Sequence, residues 1–317
     1  MKKILSIYVL LFIFLTSACP AQKDNSTTVN IANSEPTKTV EKQNTELQKQ
    51  IKQIVVAAKG RVGVKAVLLE TGESVSLKSN EHFPMQSVYK LPIAMAVLRQ
   101  VEAGKITLDQ KVRVEKSDFV RLGMRSPIRD ENPNGAELTV SELLRLAVSE
   151  SDGTASDVLF KLVGGSAAAM SYLSEIKVSD MIIVNTEKDF GQDQTLQYKN
   201  WASPDGAIDL LRALHEQHGG FSEQNRALLI KFMTESPTGP KRLKGHLPKN
   251  AVVAHKTGTS GTINGVTAAT NDIGIIILPN GKMFAIAVFV SDSAADEKTR
   301  EEVIAKIAKA VWDKWSS

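Results

Sequence analysis

The sequence predicts an α/β (α+β) fold: an antiparallel sheet flanked by terminal helices, joined to an all-helical region. Three observations carry this. Apart from one apolar run at Met181 to Phe190, strand-like runs lie towards the two ends of the chain, over 62–77 and 252–290. Between them the apolar period changes from two to that of a helix. Helical patterns bracket the whole, one starting near Leu47 and one running from about Ala295 to Trp315. A sheet assembled from both ends must enclose the middle of the chain as an insertion.

Length and composition agree. The 317 residues are 42% hydrophobic and 23% charged, a globular balance that suits one large domain or two entangled ones. The net charge of +4 is mild and no dense Lys/Arg block stands out, so no nucleic-acid partner is expected. At the N-terminus Lys2 and Lys3 precede an apolar run from Ile4 to Leu15 and the small residues Thr16-Ser17-Ala18. That run is too short to span a bilayer and has the layout of a secretory signal, so residues 1–19 read as a signal peptide and the protein as exported. Cys19 is the only cysteine, which excludes an internal disulfide. Leu15 to Cys19 resembles a bacterial lipoprotein cleavage site, with the leucine one place early. A lipid anchor at Cys19 and plain cleavage after Ala18 or Ala21 both remain open. The polar stretch 20–46 reads as a linker. Residues 47–317 then form the domain, with its α/β part at about 47–80 and 245–317 and its helical part at about 81–244.

Taken in order, Leu47, Ile51, Ile54 and Val55 recur at helical spacing. A hairpin follows, Val62 to Leu69 and Ser74 to Leu77 about a Thr71-Gly72 turn. A helix runs from Ser87 to Gly104. Thr139-Val140-Ser141-Glu142 is a capping box before Leu143, Leu144 and Leu146. A helix over 155–163 stops at Gly164-Gly165. Ser203-Pro204 and Ser222 start two more. Met181 to Phe190 reads as an apolar strand opening a polar loop. Strands return at Val252 to Thr257, Gly274 to Leu278 and Met283 to Val290, the last two joined by Pro279-Asn280-Gly281.

The chemistry-bearing stretches sit at the junctions. Ser87 and Lys90 share one helix face, one turn apart. Ser87 at a helix N-terminus is a nucleophile if Lys90 can take its proton, or merely an N-cap beside a solvated lysine. Ser151-Asp152-Gly153 lies between two helices. Lys256-Thr257-Gly258-Thr259-Ser260-Gly261 ends a strand, where small residues let a ligand lie along the edge. Glu187 closes the apolar run that begins at Met181. His215 and His218 have no third ligand nearby in sequence, so no metal is expected.

S-x-x-K, S-D-x and K-T-G in that order form the motif set of class A β-lactamases and penicillin-binding proteins. The spacing from Ser87 to Ser151 to Lys256 resembles class A. The flanks Phe83 to Val88, Val163 to Gly165, Gln197 to Trp201, Thr238 to Gly245 and His255 to Gly261 are similar to its PER-type extended-spectrum subgroup. The similarity covers Leu47 to the C-terminus. It implies the serine β-lactamase/penicillin-binding-protein fold, a β-lactam substrate, no cofactor and a periplasmic location; a monomer is expected. It implies Ser87 as nucleophile and Lys90 or Glu187 as acylation base. Backbone N–H groups of Ser87 and Thr259 would form the oxyanion hole, and Ser151 would relay a proton to the leaving nitrogen. Lys256 would supply positive charge, and Glu187 would activate the deacylating water. Thr257, Gly258, Thr259 and Ser260 would line the substrate strand, and Arg242 would meet the substrate carboxylate.

Three departures stand out. Gly153 replaces the asparagine of S-D-N; it removes an amide donor, worth roughly 1–3 kcal/mol, or makes room for bulky or differently placed substituents, and the expectation is a shifted substrate profile. Lys188 and Gly191 replace the proline and asparagine of the family's E-P-x-x-N. Arg125 stands where the family has an aromatic at the entrance, which favours anionic substituents. A penicillin-binding D,D-peptidase and a non-hydrolytic β-lactam sensor are the alternative readings.

Overall fold

The computed structural model describes residues 42–316. The signal-peptide reading of 1–19, with Cys19, and most of the 20–46 linker lie outside the described residues. The chain is ordered sooner than its composition suggests: strand β1 (Lys42–Gln43) and helix α1 (Thr45–Ile54) both begin within the expected linker. Asn44 caps α1 by accepting the Leu47 N–H at 3.0 Å. A two-residue strand needs only backbone bonds, so polarity does not forbid it.

Strands β2 (Arg61–Leu68) and β3 (Glu73–Leu77) form the expected hairpin. After β4 (Phe83–Pro84) and one 3-10 turn (Gln86–Tyr89), α2 (Lys90–Glu102) enters the interior. Every residue from Lys90 to Leu98 is buried, as an all-round apolar helix requires. A small hairpin of β5 (Lys111–Val114) and β6 (Ala136–Thr139) encloses the short α3 (Pro127–Glu131); the period gave no hint of these. Helix α4 (Val140–Val148) starts at the Thr139–Glu142 capping box, and α5 (Gly153–Val163) stops at a left-handed Gly164. That glycine also starts α6 (Gly165–Glu175), so the stop signal is a corner between two helices.

The strand expected over Met181–Phe190 shrinks to β7 (Met181–Ile182), and its end becomes α7 (Glu187–Gln192), capped by Thr186 and Asp189. β8 (Trp201–Ala202) pairs with both β4 and β7. Helices α8 (Pro204–His215) and α9 (Glu223–Thr234) follow their Ser203 and Ser222 caps. The sheet resumes with β9 (Val252–Thr259). Then come the small hairpin β10 (Thr262–Ile263) and β11 (Val266–Thr267), strands β12 (Thr270–Ile277) and β13 (Met283–Ser291), and helix α10 (Glu297–Ser316).

Sheet order is β1-β3-β2-β13-β12-β9, antiparallel except for the added β1. Along β13 the period of two divides the interior. Phe284, Ile286, Val288 and Val290 join the core of α1 and α10, while Ala285, Ala287 and Phe289 join the helical core around α2. β9 is left as an edge strand against the turn that carries Ser87. Among the described residues no helix is long and apolar enough to cross a membrane.

Candidate active site

Ser87 lies in the tight turn between β4 and α2. The turn is clamped from both sides. Asn271 on β12 donates its Nδ2 to the Pro84 and Met85 carbonyls at 2.8 and 3.1 Å, and the Met85 N–H donates to the Asn200 carbonyl at 2.9 Å. Gln86, just before the serine, holds a left-handed φ of 48°. Strain of this kind persists only where surroundings over-determine the backbone.

Lys90 is the first residue of α2 and is 2% exposed. Its Nζ donates to the Ser151 carbonyl at 2.8 Å and stands 3.1 Å from Glu187 Oε1. The Tyr89 hydroxyl donates to the same Glu187 oxygen at 3.3 Å. Burial, and then the Glu187 charge, pushes the Tyr89 phenol well above its ordinary value, so it remains a donor. Glu187 is buried at the start of α7. A buried ammonium and a buried carboxylate are tolerable here only because each satisfies the other and further hydrogen bonds complete the site.

Ser151 also takes a left-handed φ, 58°. The neighbouring Asp152 side chain fixes it by accepting from Ala155 N at 2.9 Å, which caps α5, and from Ile128 N at 2.8 Å. The Ser151 hydroxyl accepts from Lys256 Nζ at 2.9 Å. Lys256 is fully buried; burial, and then the nearby Lys90 charge, pulls its pKa well below the ordinary lysine value. An anion arriving beside it would stabilise the ammonium form, and in this buried setting the attraction is stronger than in water. Ser87, Lys90, Ser151 and Glu187 line one cleft of about 490 Å³ with Thr257, Thr259 and Ser260, and Arg125 stands at its rim.

The family model of the Beta-lactamase enzyme family matches residues 46–315. The chain belongs to this family. It is 43% identical over 266 residues to the extended-spectrum β-lactamase PER-1 of Pseudomonas aeruginosa, covering 84% of this chain and 86% of PER-1. It is 39% identical over 272 residues to β-lactamase VEB-1 of the same organism, covering 86% and 91%. A crystal structure of a β-lactamase from Chitinophaga pinensis superimposes with a TM-score of 0.83 at 44% identity, covering 85% of this chain and 99% of that one.

Several residues of this β-lactamase-family chain sit differently from expectation. Arg242 does not line the cleft. It is 3% exposed, and its Nη1 donates to the Gly258 and Asn271 carbonyls at 3.2 and 3.1 Å. Its Nη2 donates to Thr259 Oγ1 at 2.8 Å, and its Nε pairs with Glu301 at 3.2 Å. Most of the guanidinium's N–H groups are thus committed to bracing β9, and its head group meets the cleft at Thr259. Gly258 packs where a Cβ would stand 2.2 Å from the Met85 carbonyl, so β9 could not otherwise approach the serine turn. Thr257 Oγ1 shares a 2.8 Å hydrogen bond with Thr238 Oγ1, a lining residue that spacing had not marked.

Gly153 does not open room for substrate. A Cβ there would meet Val120 Cγ1 at 3.2 Å, the Arg125 carbonyl at 3.3 Å and Glu187 Cγ at 3.3 Å. The stem of Glu187 and the rim backbone fill the space. Gly153→Asn will therefore lower the melting temperature, costing about 1–3 kcal/mol by overpacking, and will slow turnover of every β-lactam by displacing Glu187. An unchanged melting temperature with a mere re-ranking of penicillins against cephalosporins would contradict this.

Asp157 was missed, although it lies one helical turn after Gly153 and so on the same face of α5. Its carboxylate accepts the backbone N–H groups of Glu187 at 2.8 Å and Lys188 at 2.9 Å, and so sets where α7 begins. Loss of hydration, and then the Glu187 charge, pushes Asp157 up to about 7. A carboxyl whose folded pKa is raised binds its proton more tightly in the folded state. Its contribution to stability is fully present below the unfolded value near 3.8 and is lost as pH rises through about 7. Asp157→Asn abolishes that titration. The melting temperature of the variant minus that of wild type will therefore rise between pH 5 and pH 8; a flat difference would show that Asp157 does not titrate there.

Proposed function

We infer that the chain is a class A serine β-lactamase that opens penicillins and cephalosporins, including extended-spectrum cephalosporins, through an acyl-enzyme on Ser87. The observation that carries the hydrolytic reading is the position of Glu187, buried at the cleft and 3.1 Å from Lys90. In the proposed sequence the Ser87 oxygen attacks the lactam carbonyl and its proton passes to the Lys90–Glu187 pair. Backbone N–H groups of Ser87 and Thr259 receive the oxyanion. The ring C–N bond then breaks, and the proton passes from the pair through the Ser151 hydroxyl to the leaving nitrogen, which leaves Glu187 ionised. Lys256, hydrogen-bonded to Ser151 at 2.9 Å, keeps that hydroxyl oriented and draws the ring carboxylate to the Thr257–Ser260 edge. Glu187 next takes a proton from water as the water attacks the ester, and returns it to the Ser87 oxygen as the ester bond breaks. No metal or cofactor enters these steps.

A D,D-peptidase or a β-lactam sensor would share Ser87, Lys90, Ser151 and Lys256 but would have no need of Glu187. Steady-state hydrolysis of a chromogenic cephalosporin is expected. Stable one-to-one labelling by a fluorescent penicillin without turnover would favour the alternatives. Export to the periplasm, with or without a lipid on Cys19, belongs to the same reading, and the intact mass of the membrane-fraction protein tests the lipid.

A further inference from the structure

Three cationic side chains line the cleft: Lys90, Arg121 and Arg125. Two are already paired. Lys90 stands 3.1 Å from Glu187, and Arg125 stands 2.9 Å from Glu150. Arg121 is exposed and has no ion-pair partner among the described residues. The cation that sequence reasoning assigned to the entrance, Arg125, is thus already ion-paired, and Arg121 is not.

The position of Arg121 is built. Its stem lies over α7 at Gly191, the residue that departs from the family's asparagine. A Cβ at Gly191 would stand 3.2 Å from Arg121 Cδ, 3.3 Å from its Nε and 3.1 Å from Met124 Sδ. A side chain there would crowd both by a few tenths of an ångström, so the glycine leaves the arginine room against the cleft. The backbone beneath is anchored too. Arg129 donates Nη1 to the Val120 and Arg121 carbonyls at 3.0 and 2.7 Å and Nη2 to the Met124 carbonyl at 3.0 Å. The Arg129 side chain is little exposed and pairs with Asp130 at 2.7 Å.

We propose that Arg121 is a specificity-determining residue whose guanidinium receives an anionic group on the acyl side chain of the β-lactam. This rests on the acyl-enzyme reading of Ser87. With the ring carboxylate drawn to Lys256 and Thr257, the acyl side chain extends the other way, towards α7 and the 120–125 rim. A guanidinium matches a carboxylate in shape and charge and can hold it through two N–H groups. Because the head group is open to water, the preference is a few-fold, carried by KM and weakened by salt.

The test uses three penicillins that share a phenyl ring: benzylpenicillin, its α-carboxy derivative carbenicillin and its α-amino derivative ampicillin. The readout is the ratio of kcat/KM for the α-carboxy to the α-amino compound, measured on one protein preparation so that partial misfolding cancels. Arg121→Gln is expected to lower the ratio about five-fold, and Arg121→Lys to keep most of it. The wild-type ratio is expected to fall as salt is raised from about 0.01 M to about 1 M. A ratio that Arg121→Gln leaves unmoved, whatever salt does to it, would overturn the anion subsite while leaving the acyl-enzyme reading in place. Failure of wild type to hydrolyse any of the three would overturn both.

Discussion

Glu187→Gln will leave an enzyme that acylates and then stalls. The substitution keeps the shape and the contact with Tyr89, but an amide cannot take a proton from water. Loss of a general base costs about 10²–10⁴ in rate, and here the loss falls on release of the ester. Mixing with a cephalosporin will give a burst of about one equivalent followed by slow turnover. Mass spectrometry of the quenched protein will find the acyl adduct, and digestion will place it on Ser87. Wild-type turnover in this variant would remove Glu187 from the deacylation step. The family's asparagine beside this glutamate is absent. Gly191 supplies no side chain, and the Arg121 stem and the Met124 sulfur occupy its surroundings. Positioning of Glu187 falls instead to Asp157, through the two backbone N–H groups that open α7.

Lys90→Met will fail earlier. The thioether fills much of the lysine's volume but can neither relay the Ser87 proton nor balance Glu187. The side chains of Lys90 and Glu187 are 1% and 9% exposed, so removing one leaves a buried charge without its partner. Breaking such a pair costs about 3–5 kcal/mol, or drives the remaining carboxylate to take up a proton. Acylation should slow by about 10²–10⁴, with no burst and no adduct accumulating, and the melting temperature should fall. The opposite behaviour of the two variants separates the roles. If Lys90→Met also accumulates adduct, Lys90 serves deacylation and not acylation.

Much of this site was legible because its parts are local. Ser87 and Lys90 stand one turn apart whatever the rest of the chain does, and the Thr139–Glu142 capping box and the Ser203 and Ser222 caps mark helix starts by hydrogen bonds within four residues. The apolar run Met283 to Val290 and the hairpin signal before it announced β13. Signals failed where one residue serves two neighbours. Gly164 ends α5 and begins α6 at once, which a stop signal read alone cannot show. The strand expected from Met181 became α7 because Thr186 and Asp189 cap it and Asp157, from another helix, binds its first N–H groups.

The family, the order of the motifs, most of the helices and strands around them, and the chemical kinds of group available were all determined by the sequence. The tertiary structure alone decided which of those groups are free to act. Arg242 has the chemistry to bind a carboxylate, yet β9 and Glu301 take up most of its donors. Gly153 looked like vacant space, yet Glu187 and the Arg125 carbonyl border it. Arg125 is tied to Glu150, while Arg121 is left unpaired among the described residues. The physical reason is common to all three. Residue type fixes what a side chain can donate, accept or fill. Burial and partners come from segments distant in sequence, and in a low-dielectric interior the partner decides whether a charge is spent or available.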